Sequence, residues 1–215
     1  IARVWDQRRA QEEGQEPIVE LKPGGKHDSS PIMRGAVFSP CGQRVLTGGS
    51  YTKAYLFERC AGVRTGFREI AVLEERTEGG DFARSPFWRA EPTEVHCAEF
   101  SSCGSYVVVG ADLNLWAKEN VPVVGVFEVA ANTPTSMEVQ HTHEAAVNSA
   151  CFSPCGKRIL SGSSDGYVVL SDFVRGEEVM SWQHPEVEVP RRGGGGGAKH
   201  PAAVYTAVFS PSGGE

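Results

Sequence analysis

Three side chains in the second half of the chain have the residue types of a hydrolytic triad: His143, Ser161 and Asp165. A serine that hydrogen-bonds a histidine, itself oriented by a carboxylate, is an arrangement used for nucleophilic catalysis. The G-x-S-x-G turn that exposes a nucleophilic serine does not accompany these residues. These three residues could form a catalytic triad or a buried hydrogen-bond network, and the surrounding sequence distinguishes the two roles.

The sequence contains little that indicates a metal site or a phosphate-binding loop. His141 and His143 are two residues apart, but no third ligand at metal-site spacing lies nearby. The glycine-rich stretches lack the strand, G-x-x-x-x-G-K-[ST] and helix context of a phosphate-binding loop. We predict no catalytic, cofactor-binding or metal-binding residue, no small-molecule substrate and no enzymatic activity.

The six cysteines contain no C-x-x-C pair. Cys41, Cys103 and Cys155 occupy the same position of a repeated turn, and we expect equivalent turns to point apart rather than converge. Small thiols such as Cys97 and Cys151, in predicted strands, behave as buried apolar groups. We predict reduced, structural cysteines, which is typical of a cytoplasmic or nuclear protein.

A short motif organises the whole chain. Phe-Ser-x-Cys-Gly begins at Phe38, Phe100 and Phe152, and Phe209 begins a fourth copy with serine for cysteine. Each copy follows a short apolar stretch and contains the glycine of a tight turn. Recurrence at this spacing indicates a repeat protein, in which each unit buries its faces against neighbouring units.

The clearest copy runs from 143 to 173. Residues 146–152 read as a buried strand, 153–156 as a turn and 157–161 as a second strand. Ser164-Asp165-Gly166 is a strong hairpin signal, and a β-branched third strand follows it. The pattern predicts an antiparallel meander.

This arrangement resembles the WD-repeat β-propeller family. The resemblance rests on His143, the Phe152 turn, Ser161-Gly162-Ser163 and Asp165-Gly166, on the same spacing from His200 to Phe209, and on Trp5-Asp6. It implies four-stranded blades, of which 4–8 close a ring around a channel. It also implies that His143, Ser161 and Asp165 form a structural hydrogen-bond network, whose fourth member in the family is a tryptophan; here that position is Ser171.

The predicted fold is all-β, a propeller with about three complete blades and partial blades at both ends. Residues 1–21 end one blade, 31–74, 94–130 and 143–182 form three, and 200–215 begin another, with loop insertions at 75–92, 131–142 and 183–199. For the blade 94–130 we predict strands near 95–100, 106–109, 113–116 and 123–129. Because three blades do not close a ring, we expect a piece of a longer propeller or completion by a partner.

The composition favours protein partners. The formal net charge is −6, whereas a dedicated nucleic-acid binder shows a basic face. A run of 18 or more apolar residues is missing, so no membrane span is predicted. By resemblance, the function is a non-enzymatic scaffold that presents loops and the channel mouth to proteins of a multisubunit assembly. A nucleic-acid-associated propeller remains a less favoured alternative.

Two segments are candidate contact sites. The predicted loop 81–90 combines aromatic and arginine side chains, the types that dominate binding hot spots; its members are Phe82, Arg84, Phe87, Trp88 and Arg89. The same aromatics could instead pack over a blade edge. The second segment, Trp5-Asp6-Gln7-Arg8, resembles the adaptor motif of propellers that act as substrate receptors of cullin-RING ubiquitin ligases, with Trp5, Asp6 and Arg8 as its members.

Overall fold

The computed structural model describes residues 2–4, 19–21, 32–50, 52–60, 66–73, 91–115, 119–130, 138–189 and 198–212. Every regular element in these ranges is a β-strand, as the sequence predicted. The same ranges hold no helix long and apolar enough to cross a membrane. The strands form successive antiparallel units, which we call blades A, B and C.

Blade A consists of β3 (Ile32–Phe38), β4 (Arg44–Ser50), β5 (Thr52–Arg59) and β6 (Phe67–Leu73), each paired with the next. Before it, the short strands β1 (Ala2–Val4) and β2 (Val19–Leu21) pair with each other. Leu21 packs with Val45, Tyr55 and Phe57 on one face of blade A. The β1–β2 hairpin therefore covers this blade as a neighbouring blade would.

Blade B differs from the prediction. Its strands are β7 (Glu91–Phe100), β8 (Tyr106–Leu115), β9 (Glu119–Glu128) and β10 (Glu138–Thr142). The predicted third strand 113–116 falls largely within β8, and the predicted fourth strand is mostly β9. Residues 138–142, predicted as part of a loop, pair with β9 as the outer strand. The cause is a longer second hairpin, in which ten-residue β8 and β9 pair along their full length.

Blade C consists of β11 (Val147–Phe152), β12 (Arg158–Ser163), β13 (Tyr167–Asp172) and β14 (Glu177–Gln183). The predicted loop 183–199 is partly wrong, since β15 (Glu186–Val189) and β16 (Ala198–Pro201) form a hairpin. The alternating Glu186-Val-Glu-Val is a strand pattern that the glycine-rich run beside it obscured. No strand is assigned to the described residues 202–212, although Val204 and Ala207 are buried.

The repeated motif forms the same turn in all three blades. The amide of Gly42 donates to the carbonyl of Ser39 at 2.8 Å, and Gly104 and Gly156 make the same 2.8 Å bond to Ser101 and Ser153. The three glycines have φ values of 69°, 73° and 71°. That left-handed conformation favours glycine, which explains the fixed last residue of the motif.

Adjacent blades pack through apolar faces. Leu46 and Leu56 of blade A meet Val107 and Phe127 of blade B in one cluster. A second cluster joins Val108 and Val124 of blade B to Val147, Ala150 and Ile159 of blade C, and Phe173 packs against it. Strands that face a blade on each side carry apolar residues at successive positions, which is why β8 and β9 read as continuous valine-rich runs.

A glycine in the second strand of each blade admits a valine from the next unit. A β-carbon added to any of these glycines would lie 2.6–2.7 Å from a valine methyl carbon, a distance that packed atoms do not adopt. The pairs are Gly48 with Val95, Gly110 with Val147, and Gly162 with Val204. These glycine–valine joints set how closely consecutive units approach.

The first strands β3, β7 and β11 lie side by side, with β7 in the middle. Each has a β-bulge at the same repeat position, near the end that carries the second hairpin. A bulge leaves one residue outside the ladder and turns its side chain away from the pleat. The bulged residues are Arg34, His96 and Asn148.

Candidate functional site

His143 lies in the link between β10 and β11, and it joins that link to the second hairpin of blade C. Its Nδ1 is 2.9 Å from Asp165 Oδ2 in the β12–β13 turn, and its Nε2 is 2.9 Å from Ser161 Oγ on β12. The structure thus brings together the three residues that the sequence singled out as a network. The hydrogen bonds also follow the order found in a hydrolytic triad. The solvent exposure of Ser161 therefore determines whether the arrangement can catalyse a reaction.

Asp165 is held as an acceptor. Its Oδ2 accepts from His143 and from the Glu144 amide at 3.0 Å, and its Oδ1 accepts from the Tyr167 amide at 2.8 Å. Burial by itself raises the pKa of Asp165, but the hydrogen bonds from Tyr167, Glu144 and His143 outweigh it, and the pKa lies below its ordinary value. The ionised carboxylate therefore accepts a hydrogen bond from the Nδ1–H of His143, and His143 Nε2 accepts a hydrogen bond from the Ser161 hydroxyl.

His141 is a fourth member that sequence reasoning missed. Its Nε2 is 2.8 Å from Ser161 Oγ, so it donates to the hydroxyl oxygen that donates onward to His143. Burial, and to a smaller extent the neighbouring His143, lower the pKa of His141 to about 4, against a smaller opposite effect of Glu178. Among the described residues, its Nδ1 is buried without a hydrogen-bond partner, which agrees with a neutral ring.

The residue at the family's tryptophan position does not join the network. Ser171 is fully buried, and its hydroxyl has no hydrogen-bond partner in the described part of the chain. His141 instead reaches across from the outer strand of blade B and supplies the donor. Two features of the sequence could have indicated this exchange of roles: the small residue at position 171, and a second histidine two positions before His143.

Accessibility favours the structural role. Ser161 is 0% exposed, and its hydroxyl is shared between two imidazoles. A nucleophile must come within bonding distance of a substrate atom, which this position does not allow. Chemically, the four residues form a chain of hydrogen bonds that fixes the link before blade C to its second hairpin.

A second polar cluster lies at the bulges of the first strands. Arg34 of blade A contacts the Glu94 carboxylate of blade B. His96 lies between two carboxylates, with Nε2 3.1 Å from Asp112 Oδ2 and Nδ1 3.8 Å from Glu94 Oε1. Sequence reasoning missed this cluster, although Arg34, His96 and Asn148 all stand four residues before the motif phenylalanine.

The residue types Glu94, His96 and Asp112 can ligate a transition metal, and their ligand atoms lie within 4.8 Å of one another. Two features oppose that use. The guanidinium of Arg34 already contacts Glu94, and the two nitrogens of His96 face different carboxylates. The geometry is that of a polar cluster in blade B, joined to blade A by the Arg34–Glu94 ion pair.

The predicted contact segments lie outside the described residues. They are Phe82, Arg84, Phe87, Trp88 and Arg89 of the 81–90 loop, and Trp5, Asp6 and Arg8 of the adaptor motif. Their roles stay predictions.

Comparisons with known proteins agree with this architecture. The family model "WD domain, G-beta repeat" matches residues 135–172, which span β10 to β13. A curated protein of Danio rerio, "WD repeat, SAM and U-box domain-containing protein 1", is 29% identical over 111 residues, which are 49% of this chain and 20% of that protein. The chain thus spans about a fifth of that relative's length.

Two solved structures are similar in fold, each with 16% sequence identity. "Structure of U3-55K" has a TM-score of 0.51 and covers 74% of this chain and 41% of its own; the C-terminal WD40 domain of Sif2 has a TM-score of 0.47 and covers 73% and 40%. WD40 propellers are in general non-enzymatic folds that bind other proteins. Residues 135–172 thus match a WD repeat, and the described blades are similar in fold to the structure of U3-55K.

Proposed function

We propose that the chain is a non-enzymatic scaffold whose partners, proteins of a multisubunit assembly, dock at the bulge end of the first strands. One observation carries the proposal: the residue at the shared β-bulge of each first strand lies outside the ladder, and its identity differs from repeat to repeat. Two residues after that position, each repeat has alanine, and four residues after it phenylalanine. The position itself is Arg34, His96, Asn148 and, at the equivalent place, Tyr205.

Two of the four varied side chains are open to solvent, as recognition by a partner requires. The Arg34 side chain is 47% exposed and Tyr205 is 75% exposed, whereas the alanines Ala150 and Ala207 are buried. Arginine and tyrosine are enriched among residues that dominate binding energy. Asn148 donates hydrogen bonds to the Ser164 hydroxyl and the Val204 carbonyl, both 2.9 Å, so its side chain is held in place beside the exposed ones.

The ion pairs that several arginines make with glutamates favour a protein over a nucleic acid as the binding partner. Arg3, Arg34 and Arg44 each contact a glutamate, as does Arg68. Arginines that neutralise carboxylates of their own chain contribute less to a phosphate-binding face. The proposal places the protein in the cytoplasm or nucleus, in line with its free cysteines.

The test compares Arg34→Ala/Tyr205→Ala with the control Arg68→Ala, whose side chain is 70% exposed on β6. The full-length protein that carries this chain is purified from its native cells by affinity tag, and bound proteins are quantified by mass spectrometry. We expect one set of partners to be lost in the double variant and retained in the control. Unchanged partners would contradict the proposed surface, and salt-sensitive RNA in place of proteins would favour the nucleic-acid alternative.

A further inference from the structure

The face of blade C that receives Val204 is only partly covered. Val168 of β13 pairs with Gly162 on one side and with Trp182 of β14 on the other, so these three residues share that face. Met180 stands two residues before Trp182 on β14 and therefore points the same way. Trp182 is 46% exposed and Met180 is 49% exposed, so two large apolar side chains of the outer strand are open to solvent.

The inner half of this face is covered by the chain itself. Val204 packs at Gly162 in a glycine–valine joint like those between the blades. Ala207 is bonded to Ser149 of β11 twice: its carbonyl accepts from the serine hydroxyl at 3.1 Å, and its amide donates to the same oxygen at 3.2 Å. Residues 204–207 therefore lie where the first strand of a further unit belongs.

Blade A shows what covers the outer half of such a face. The outer strands β6 and β14 have a β-bulge at the same place, which aligns Ala71 with Met180 and Leu73 with Trp182. Leu73 is only 1% exposed, because it lies in the apolar cluster that joins blade A to blade B. Ala71 packs against the same cluster. The position of Trp182 is therefore one that a neighbouring sheet buries.

A polar contact accompanies the packing of blade A on blade B. Arg44, at the start of β4, contacts the Val129 carbonyl of blade B. Arg158 takes the same place in blade C, at the start of β12 and two residues after the motif glycine. It stands four residues before Gly162 on an unbroken ladder, so both residues face the same side. The partly covered face thus offers a guanidinium for a main-chain carbonyl as well as apolar side chains.

We propose that Met180, Trp182 and Arg158 bind the remaining strands of the unit that residues 202–212 begin, and that the same polypeptide supplies those strands. The occupant is an antiparallel sheet with apolar side chains towards Trp182 and a main-chain carbonyl towards Arg158, as blade B is towards blade A. This assignment decides between the two expectations drawn from the sequence, a longer propeller and completion by a partner. It uses a different surface from the bulge end of the first strands, so either proposal can fail alone.

Two features favour the same chain over a second molecule. A complete blade of another molecule would have to displace residues 204–207, which already hold the first-strand place. The motif turns of neighbouring blades also lie side by side, which corrects the expectation that they point apart: Ser102 Oγ donates to the Pro154 carbonyl at 3.0 Å, across the boundary between blades B and C. The motif copy at 209–213 therefore leads the chain to the uncovered half, where a tethered unit has a high effective concentration.

The test is hydroxyl-radical oxidation of the full-length protein that carries this chain, purified as a monomer, with peptide mass spectrometry of Met180 and Trp182. A synthetic peptide of residues 177–183 gives the reactivity of the uncovered side chains. We expect both residues to lose nearly all of that reactivity in the folded monomer. Reactivity near half of the peptide value, as exposures of 49% and 46% would give, would overturn the proposal. Protection that appears only in a dimer, or only after another protein binds, would overturn the assignment to the same chain.

A pair of variants gives a second readout. Met180→Asp places a carboxylate on this face, and the matched control is Val174→Asp, at a site that is 82% exposed in the turn between β13 and β14. We expect Met180→Asp to lower the thermal midpoint of the full-length protein by about 5 °C or more, because a covered charge loses its hydration. Val174→Asp should leave the midpoint unchanged, and equal midpoints for the two variants would contradict the proposal. If Met180→Asp does not fold, the oxidation of the unmodified protein decides alone.

Discussion

His141 Nε2 lies 2.8 Å from Ser161 Oγ, and this contact joins the outer strand of blade B to the second strand of blade C. The same hydroxyl also contacts His143, so one serine is hydrogen-bonded to a histidine of β10 and to one of the link that follows it. These hydrogen bonds therefore connect blade B to blade C as well as stabilising blade C internally. It fixes where one blade ends relative to the next.

The first prediction concerns acid sensitivity. The folded pKa of His141 is about 4 and its ordinary value is 6.5, so the unfolded chain binds more protons between these values. The stabilisation is complete above pH 6.5 and is lost as the pH falls towards 4, by on the order of 3 kcal/mol. Urea unfolding of His141→Gln should show a flatter pH dependence in this range. The exposed His184→Gln is the control, and identical slopes for both variants would contradict the assignment.

The second prediction compares two buried serines on adjacent strands. Ser161→Ala removes the buried hydroxyl between the two imidazoles and should lower the free energy of unfolding by about 2–4 kcal/mol. Ser171→Ala removes a buried hydroxyl without a described partner, so it should be close to neutral or stabilising. Chemical denaturation of both variants at neutral pH measures the difference. Equal losses would mean that burial, and not the network, determines the effect.

The third prediction tests a glycine–valine joint. Gly110→Ala places a β-carbon 2.6 Å from Cys97 Sγ and 2.7 Å from Val147 Cγ1, so the blades must separate. We expect a loss of about 1–3 kcal/mol in the free energy of unfolding. Gly35→Ala is the matched control, because an added β-carbon there meets nothing within 4 Å. Comparable thermal midpoints for the two variants would refute the steric role of the joint.

The fourth prediction concerns the 81–90 loop. If Phe87 and Trp88 contact a partner, Phe87→Ala/Trp88→Ala should lose a set of co-purifying proteins, because truncating hot-spot aromatics removes most of their binding energy. Circular dichroism and thermal unfolding of the purified variant establish whether it remains folded. Retained partners together with lower stability would assign the two aromatics to packing over a blade edge instead.

The sequence predicted the architecture well because the turn motif is local. Phe-Ser-x-Cys-Gly fixes a strand, a left-handed glycine and the start of the next strand, whichever blade contains it. It predicted blade B less well because β10 has the sequence Glu-Val-Gln-His-Thr, which gives little apolar alternation. Its pairing with β9 depends on a connection whose length the motif does not encode.

The network was predictable only in part. His143, Ser161 and Asp165 stand at fixed distances along one repeat, so a pattern finds them. His141 belongs to the preceding blade, and its role depends on the packing of one blade against the next. The Arg34–Glu94 contact also crosses between blades, so periodicity within a repeat cannot reveal it.

The glycine–valine joints imply that the repeats are interchangeable units. Blades B and C each carry a glycine on the second strand that receives a valine, and each presents a valine from its first strand; Gly162 receives Val204 in the same way. A gene segment that encodes one whole repeat therefore carries both complementary parts. Duplication or loss of such a segment would leave every remaining joint matched, so the number of blades could change during evolution without redesign of any contact between them.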